Sequence, residues 1–218
     1  MTPAPRRRAN AAAAAPAEGR TRRRPRRDDE VLAAAVRVFY ERGYSDATVQ
    51  DIADAVGILK GSIYHYIDTK EDLLFRLLET VHNDVGKILE EVGANPDLEP
   101  LERLELYVRR QVAYNLDNIE RISVYYHDID RLSPDRLAPI IAQRHEHERF
   151  VTNMIKDAQA AGTADPSLDA RLLRNCVFAT VIWTYRWYKP GGRASRETIA
   201  DVCSAFALRG VIGDAPTR

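Results

Sequence analysis

The stretch Thr48-Val-Gln-Asp-Ile-Ala-Asp-Ala-Val-Gly57-Ile-Leu-Lys-Gly-Ser-Ile-Tyr64-His-Tyr-Ile-Asp-Thr-Lys70 decides the fold. Thr48 reads as an N-cap: its hydroxyl can take one of the backbone N–H groups that the first helical turn leaves unpaired. Val49, Ile52, Ala53 and Val56 then recur at helical spacing and give one apolar face. Gly57 stops the helix, because only glycine enters φ > 0 without steric cost. A second short helix is expected from about Leu59 to Tyr66, with Ile58 and Ile63 turned into the core and Ala55 small enough for close approach. Lys60, Gly61, Ser62, Tyr64 and His65 are left facing outward. Gly61 stands out, since glycine inside a helix costs about 1 kcal/mol relative to alanine; close approach of a partner is one reason to keep it. Helix, glycine turn, short helix is the grammar of a helix-turn-helix, whose second helix enters a DNA groove.

Helical periodicity continues on both sides of this unit. Upstream, Val31, Leu32, Ala35, Val36 and Phe39 mark a helix from Asp28 to Arg42, with Gly43 as its stop. Downstream, Thr69 caps a helix carrying Leu73, Leu74, Leu77, Leu78, Val81 and Val85. After a break at residues 93–100, helices are expected over Leu101–Leu116, Ile119–Leu132, Ser133–Ala161, Asp165–Tyr188 and Ser195–Leu208. No useful stretch alternates with period two. The expectation is an all-α chain of about nine helices: a basic arm at 1–27, a DNA-binding domain at 28–75 and a ligand-binding and dimerisation domain at 76–218.

These residues resemble the DNA-binding motif of the TetR family of transcriptional regulators, joining about a dozen positions at fixed spacing over residues 28–80. The resemblance implies an all-α homodimer on a pseudo-palindromic double-stranded DNA operator, released when a small molecule fills the C-terminal domain. It further implies phosphate contacts from Thr48, Tyr64 and Lys70, and groove contacts from Lys60, Gly61, Ser62 and His65. Leu59 departs from the family, which often has a capping Ser or Thr there; Tyr66 replaces the usual Phe. The ending Trp183-x-x-x-Trp187-Tyr188-x-Pro190-x-Gly192 is similar to a subgroup that includes acyl-CoA and lipid-catabolism regulators.

Charge agrees only after the chain is divided. The 218 residues hold 32 basic and 32 acidic side chains, a net of zero. Nine of the arginines, against the single acid Glu18, lie in residues 1–27. That leaves a net of +8 on the arm and −8 on the rest. Such an arm is expected to be disordered, and reads equally as a tracker of phosphates or as a solubilising leader. The headpiece itself has more acids than bases.

In the C-terminal half, pocket candidates are Tyr107, Gln111, Tyr114, Tyr125, His127, Phe150, Met154, Phe178, Ile182, Trp183 and Arg186. Together they make an apolar set with a few polar groups. Arg186 suits either a ligand anion or an internal acid. Ile199, Val202, Cys203 and Phe206 form a stripe on the last helix. With the apolar 175–188 helix they suggest a four-helix dimer interface. His145 and His147, at i and i+2, point to different helix faces, so no metal site is expected and the segment reads as a solvated charged face. No cofactor is called for. Cys176 and Cys203 read as buried thiols of a cytoplasmic protein. No run approaches the roughly 18 apolar residues of a membrane span. No phosphate loop or nucleophile elbow marks an enzyme. The reading is a ligand-responsive DNA-binding regulator acting as a repressor. A constitutive regulator without effector and, from a different class, a helical enzyme are the alternatives.

Overall fold

The computed structural model describes residues 23–95 and 97–213. Among them are ten α-helices, one 3₁₀ turn and no strand: α1 (Arg23–Arg42), α2 (Val49–Val56), α3 (Lys60–Ile63), α4 (Lys70–Gly93), α5 (Pro100–Asp117), α6 (Ile119–Asp128), the 3₁₀ turn Ile129–Arg131, α7 (Pro134–Ala160), α8 (Ala170–Ile182), α9 (Thr184–Trp187) and α10 (Arg196–Ile212). The all-α expectation holds. The count differs because the 165–188 segment breaks at Trp183 into α8 and α9.

Local chemistry explains most boundaries. Thr48 and Thr69 each close a full capping box. Asp51 and Asp72 return a carboxylate to the cap backbone, and the Thr side chains accept from the N–H three residues on. Gly57 sits at φ 73°, and its N–H reaches back to the last carbonyls of α2. Pro100 and Pro134 open α5 and α7 at their first turns, where a missing N–H costs nothing.

Two boundaries differ from expectation. α1 starts at Arg23, so the last five residues of the 1–27 arm are helical. Arginine is a good helix former, and Pro25 falls in the first turn, where proline is tolerated. Residues 1–22 of the arm lie outside the described residues. α3 is regular only over Lys60–Ile63, and Leu59 provides no side-chain cap. The chain still turns on to Ile67 through Tyr66 N–H to Ile63 O (2.9 Å) and Ile67 N–H to Ile63 O (3.3 Å).

Two apolar clusters are buried among the described residues. One joins α1, α2 and α3 to the first half of α4, through Phe39, Ile52, Ile63, Leu73, Leu74 and Leu77, and continues into α6 through Ile122 and Tyr125. The other joins α5, α7, α8 and α10, through Tyr107, Val108, Val151, Ile155, Val177 and Cys203. α4 spans both regions. With 24 residues at 1.5 Å each it is about 36 Å long. Its start is clasped to the start of α7. Glu71 Oε1 accepts from the Ser133 N–H at 2.8 Å, and Arg136 pairs with Asp72. Burial pulls the Asp72 pKa up, but the Arg136 and backbone N–H contacts outweigh it and hold the carboxyl below its ordinary range.

Candidate nucleic-acid interface and ligand cavity

α2 lies against α1 and α3 against α2, with Ile52, Ala53 and Ile63 fully buried. Ile58 and Tyr66 pack partly buried against the same cluster. Ala53, not the exposed Ala55, is the small residue at the contact. The outward set emerges as expected. Lys60, Gly61 and His65 are exposed, Tyr64 is half exposed, and Ser62 is intermediate. Leu59 is 81% exposed, an apolar side chain at the start of the same helix that no intramolecular contact accounts for. A Cβ placed on Gly61 would touch nothing among the described residues, and its φ is not positive. Nothing among the described residues therefore requires glycine there.

Two expected phosphate contacts have internal partners. The Thr48 hydroxyl donates to Asp51 Oδ2 at 2.6 Å, and that carboxylate also takes Arg42 at 2.6 Å. Lys70 departs further. Its Nζ donates to the carbonyls of Tyr44 (2.7 Å), Ser45 (3.3 Å) and Ala47 (2.8 Å), and lies 4.4 Å from the Tyr44 ring centroid. An ammonium has three donors, so Lys70 fastens the α1–α2 turn to α4 rather than presenting a free charge.

The C-terminal half encloses a cavity of about 50 Å³ between α4, α5, α6, α7 and α8. Of the expected pocket residues, Tyr107, Gln111, Tyr125, Phe178 and Ile182 line it. The others do not. The Tyr114 hydroxyl donates to Asp84 at 3.3 Å, away from the cavity. Met154 is buried in the second cluster and Phe150 packs partly buried against it. His127 and Trp183 are exposed. Arg186 faces His127 Nε2 at 3.0 Å and the Trp183 ring, and does not line the cavity. It lines instead an open cleft beside α1, shared with Arg37, Tyr40, Arg121, Tyr185 and Lys189.

Outside the expected set, His82, Asn115, Tyr126, Arg144 and His147 add polar and aromatic lining, and Val81, Val85, Ile122 and Val181 complete it. His82 follows Val81 and precedes Val85 on a helix face read only as apolar. His147 corrects the view of 145–147 as a solvated face: His145 is exposed, while His147 turns inward to the Tyr107 hydroxyl at 2.8 Å. His82 Nε2 lies 3.0 Å from the Tyr125 hydroxyl. Both rings are held neutral. Burial, then the Arg144 charge, pulls His82 down to about 4; burial, then His82 and Arg144, does the same to His147. Burial pushes the Tyr125 hydroxyl up to about 12 and Tyr107 well above its ordinary value.

The stripe on α10 divides. Ile199 and Cys203 are buried in the chain's own second cluster, whereas Val202 is 63% and Phe206 70% exposed. At 100° per residue the four span about 100°. The edge of the α5 contact runs through that arc. α10 turns Ile199, Ala200, Cys203, Ser204, Ala207 and Val211 toward the domain. On α8 and directly after it, Leu172 and Trp183 are also exposed. Cys176 is exposed, correcting its reading as a core thiol, and both cysteines are free. Among the described residues no helix is long and apolar enough to cross a membrane.

A capped helix-turn-helix with an open outer face, joined by one long helix to a helical domain with an enclosed cavity, defines a DNA-binding transcriptional regulator. Comparisons with known proteins agree. Residues 31–77 match the model for bacterial regulatory proteins of the tetR family, and residues 97–211 match the tetracyclin repressor-like C-terminal domain. The chain belongs to the TetR family. It is 30% identical to the HTH-type transcriptional repressor KstR2 of Mycolicibacterium smegmatis over 190 residues, covering 85% of this chain and 90% of that one. Among solved structures it resembles the ketosteroid transcriptional regulator KstR2 of Mycobacterium tuberculosis (TM-score 0.80, 27% identity, 85% of this chain and 94% of that one). It also resembles AibR in complex with isovaleryl coenzyme A and operator DNA (TM-score 0.75, 27% identity, 83% and 97%). The family and these relatives are DNA-binding regulators, not enzymes.

Proposed function

We propose that this protein is a cytoplasmic, homodimeric repressor released from a pseudo-palindromic operator by an acyl-CoA-type effector. The observation that carries the reading is the enclosed cavity at α4. Val81, His82 and Val85 form part of its wall on the same helix whose start is fastened to the headpiece by Lys70. A guest that displaces this wall therefore acts on the element that positions α2 and α3. α7 reinforces the link, because it carries Arg144 and His147 in the wall and Arg136 in the clasp. A similar protein solved with isovaleryl coenzyme A and operator DNA supports the effector class.

In this reading the α3 face reads the major groove. Lys60, Ser62, Tyr64 and His65 supply donors and an aromatic edge, and Gly61 admits the backbone close to the duplex. Thr48 lies at the start of α2 beside the phosphates, and the arm adds salt-sensitive affinity. The outer faces of α8 and α10, with Leu172, Trp183, Val202 and Phe206 exposed, meet their copies in the twin subunit. The test is operator selection with the full-length protein, followed by release measurements with isovaleryl-CoA and a series of acyl-CoA thioesters. An enriched inverted repeat released by a thioester is the expected result. A selected operator that no thioester releases would leave a regulator without this class of effector.

A further inference from the structure

Four buried side-chain atoms have no hydrogen-bond partner among the described residues: Arg103 Nε, Gln111 Oε1, Gln143 Oε1 and Ser204 Oγ. Only Gln111 also lines the cavity. The orientation of its amide is fixed by its neighbours. Asn115, one turn along α5, donates from Nδ2 to the Val181 carbonyl at 3.1 Å. A carbonyl only accepts, so the Asn115 amide cannot be reversed, and its Oδ1 must face Gln111. Gln111 Nε2 donates to that Oδ1 at 3.1 Å. Reversing Gln111 would set two acceptors against each other. Its Oε1 is thus a pre-oriented acceptor, 5% exposed as a residue and without a donor among the described residues.

The rest of the wall narrows the guest. Tyr107 is paired with His147, and Tyr125 with His82. Arg144 and Tyr126 add polar groups, Asn115 is occupied by Gln111 and the Val181 carbonyl, and Val81, Val85, Ile122, Phe178, Val181 and Ile182 make the rest apolar. A volume of about 50 Å³ compares with roughly 10–15 Å³ for one water. It admits about four groups of that size, a short chain rather than a fused-ring skeleton. We infer that the effector carries a hydroxyl group on a short acyl chain, and that Gln111 Oε1 accepts the hydrogen bond from that hydroxyl. The inference rests on the cavity being the effector site, as proposed above. Sites built to hydrogen-bond a hydroxyl discriminate strongly against the analogue lacking it, because the buried partner is otherwise left unpaired.

The experiment is calorimetric binding of butyryl-CoA and of 2-, 3- and 4-hydroxybutyryl-CoA to the full-length protein without DNA, in wild type and Gln111→Leu. At least one hydroxy isomer should bind wild type about tenfold or more tightly than butyryl-CoA. That advantage, read as the ratio of the two affinities within each protein, should shrink to about threefold or less in Gln111→Leu. Gln111→Met serves if the leucine variant fails to fold by circular dichroism. Equal binding of all four thioesters to wild type overturns the inference, as does an advantage that survives removal of the amide. Binding of none of them overturns it together with the proposed effector class. Selective, Gln111-dependent binding that leaves the operator occupied would sustain the role of Gln111 and refute the release mechanism.

Discussion

Replacing His147 by Gln should remove about half of the acid sensitivity that the cavity imposes on the fold. In the folded protein the His147 and His82 pKa values lie at about 4, against 6.5 for the free side chain. Above pH 6.5 both folded and unfolded chains hold neutral rings, and the contribution is fully present. As pH falls, the unfolded chain takes up protons that the folded chain refuses. Stability is therefore lost progressively from about pH 6.5 down to about pH 4, where the folded rings protonate too. For one such histidine the loss between pH 7 and pH 5 is about 2 kcal/mol, and about 4 kcal/mol for two acting independently. A glutamine side chain in place of His147 would keep a polar partner for the Tyr107 hydroxyl and remove the titration. Urea unfolding at pH 7 and pH 5, at one fixed protein concentration, should show the wild type losing about 4 kcal/mol and His147→Gln about 2. Equal losses in the two proteins, or a His147 ring that titrates near 6.5 by NMR, would refute the neutral-histidine argument.

Three other substitutions probe separate parts. Lys70→Met removes charged hydrogen bonds to the carbonyls of Tyr44, Ser45 and Ala47 and should cost about 2 kcal/mol in denaturant unfolding. Unchanged stability with weakened DNA binding would return Lys70 to a phosphate role. Phe206→Glu puts a charge where 70% of the residue is exposed in the single chain. It should weaken dimerisation by about 3 kcal/mol, roughly a hundredfold, while the subunit stays folded. A dimer mass unaltered on dilution in light scattering would remove α10 from the interface. Tyr64→Ala should reduce specific operator affinity about tenfold and leave unfolding within about 0.5 kcal/mol of wild type; retained affinity would exclude Tyr64 from the DNA contact.

The legible parts of the chain are those governed by neighbours in sequence. Thr48, Gly57 and Thr69 act on backbone groups within four residues, so both capping boxes and the positive-φ turn could be read directly. The outward set on α3 followed from the same short-range geometry. The illegible parts depend on what another helix covers. The α10 pattern allowed a stripe about 100° wide. Only the position of α5 decides that Ile199 and Cys203 face inward and Val202 and Phe206 outward. Lys70 meets its partners 23 to 26 residues away, across a turn whose carbonyls carry no sequence signal. His147 and Tyr107 stand 40 residues apart, and nothing on either helix marks the other as its partner. Helical spacing alone recovered five pocket residues and also admitted Tyr114, Phe150 and Met154, which have the same composition but face other neighbours.

The clasp between α4 and α7 sets a mechanical scale. Glu71 and Asp72 hold Ser133 and Arg136 at one end, and His82 and His147 face the cavity ten or eleven residues further along. That distance is about 15 Å of helix. With the clasped end as pivot, each 1 Å of widening at the cavity would turn α4 by about 4° relative to α7. A twofold pair of such pivots would tilt both recognition helices at once, in opposite senses about the dyad. B-DNA offers successive major-groove faces only every 34–36 Å, so register with the duplex is lost by small angles. On the proposed release mechanism, no large rearrangement would be needed to leave an operator.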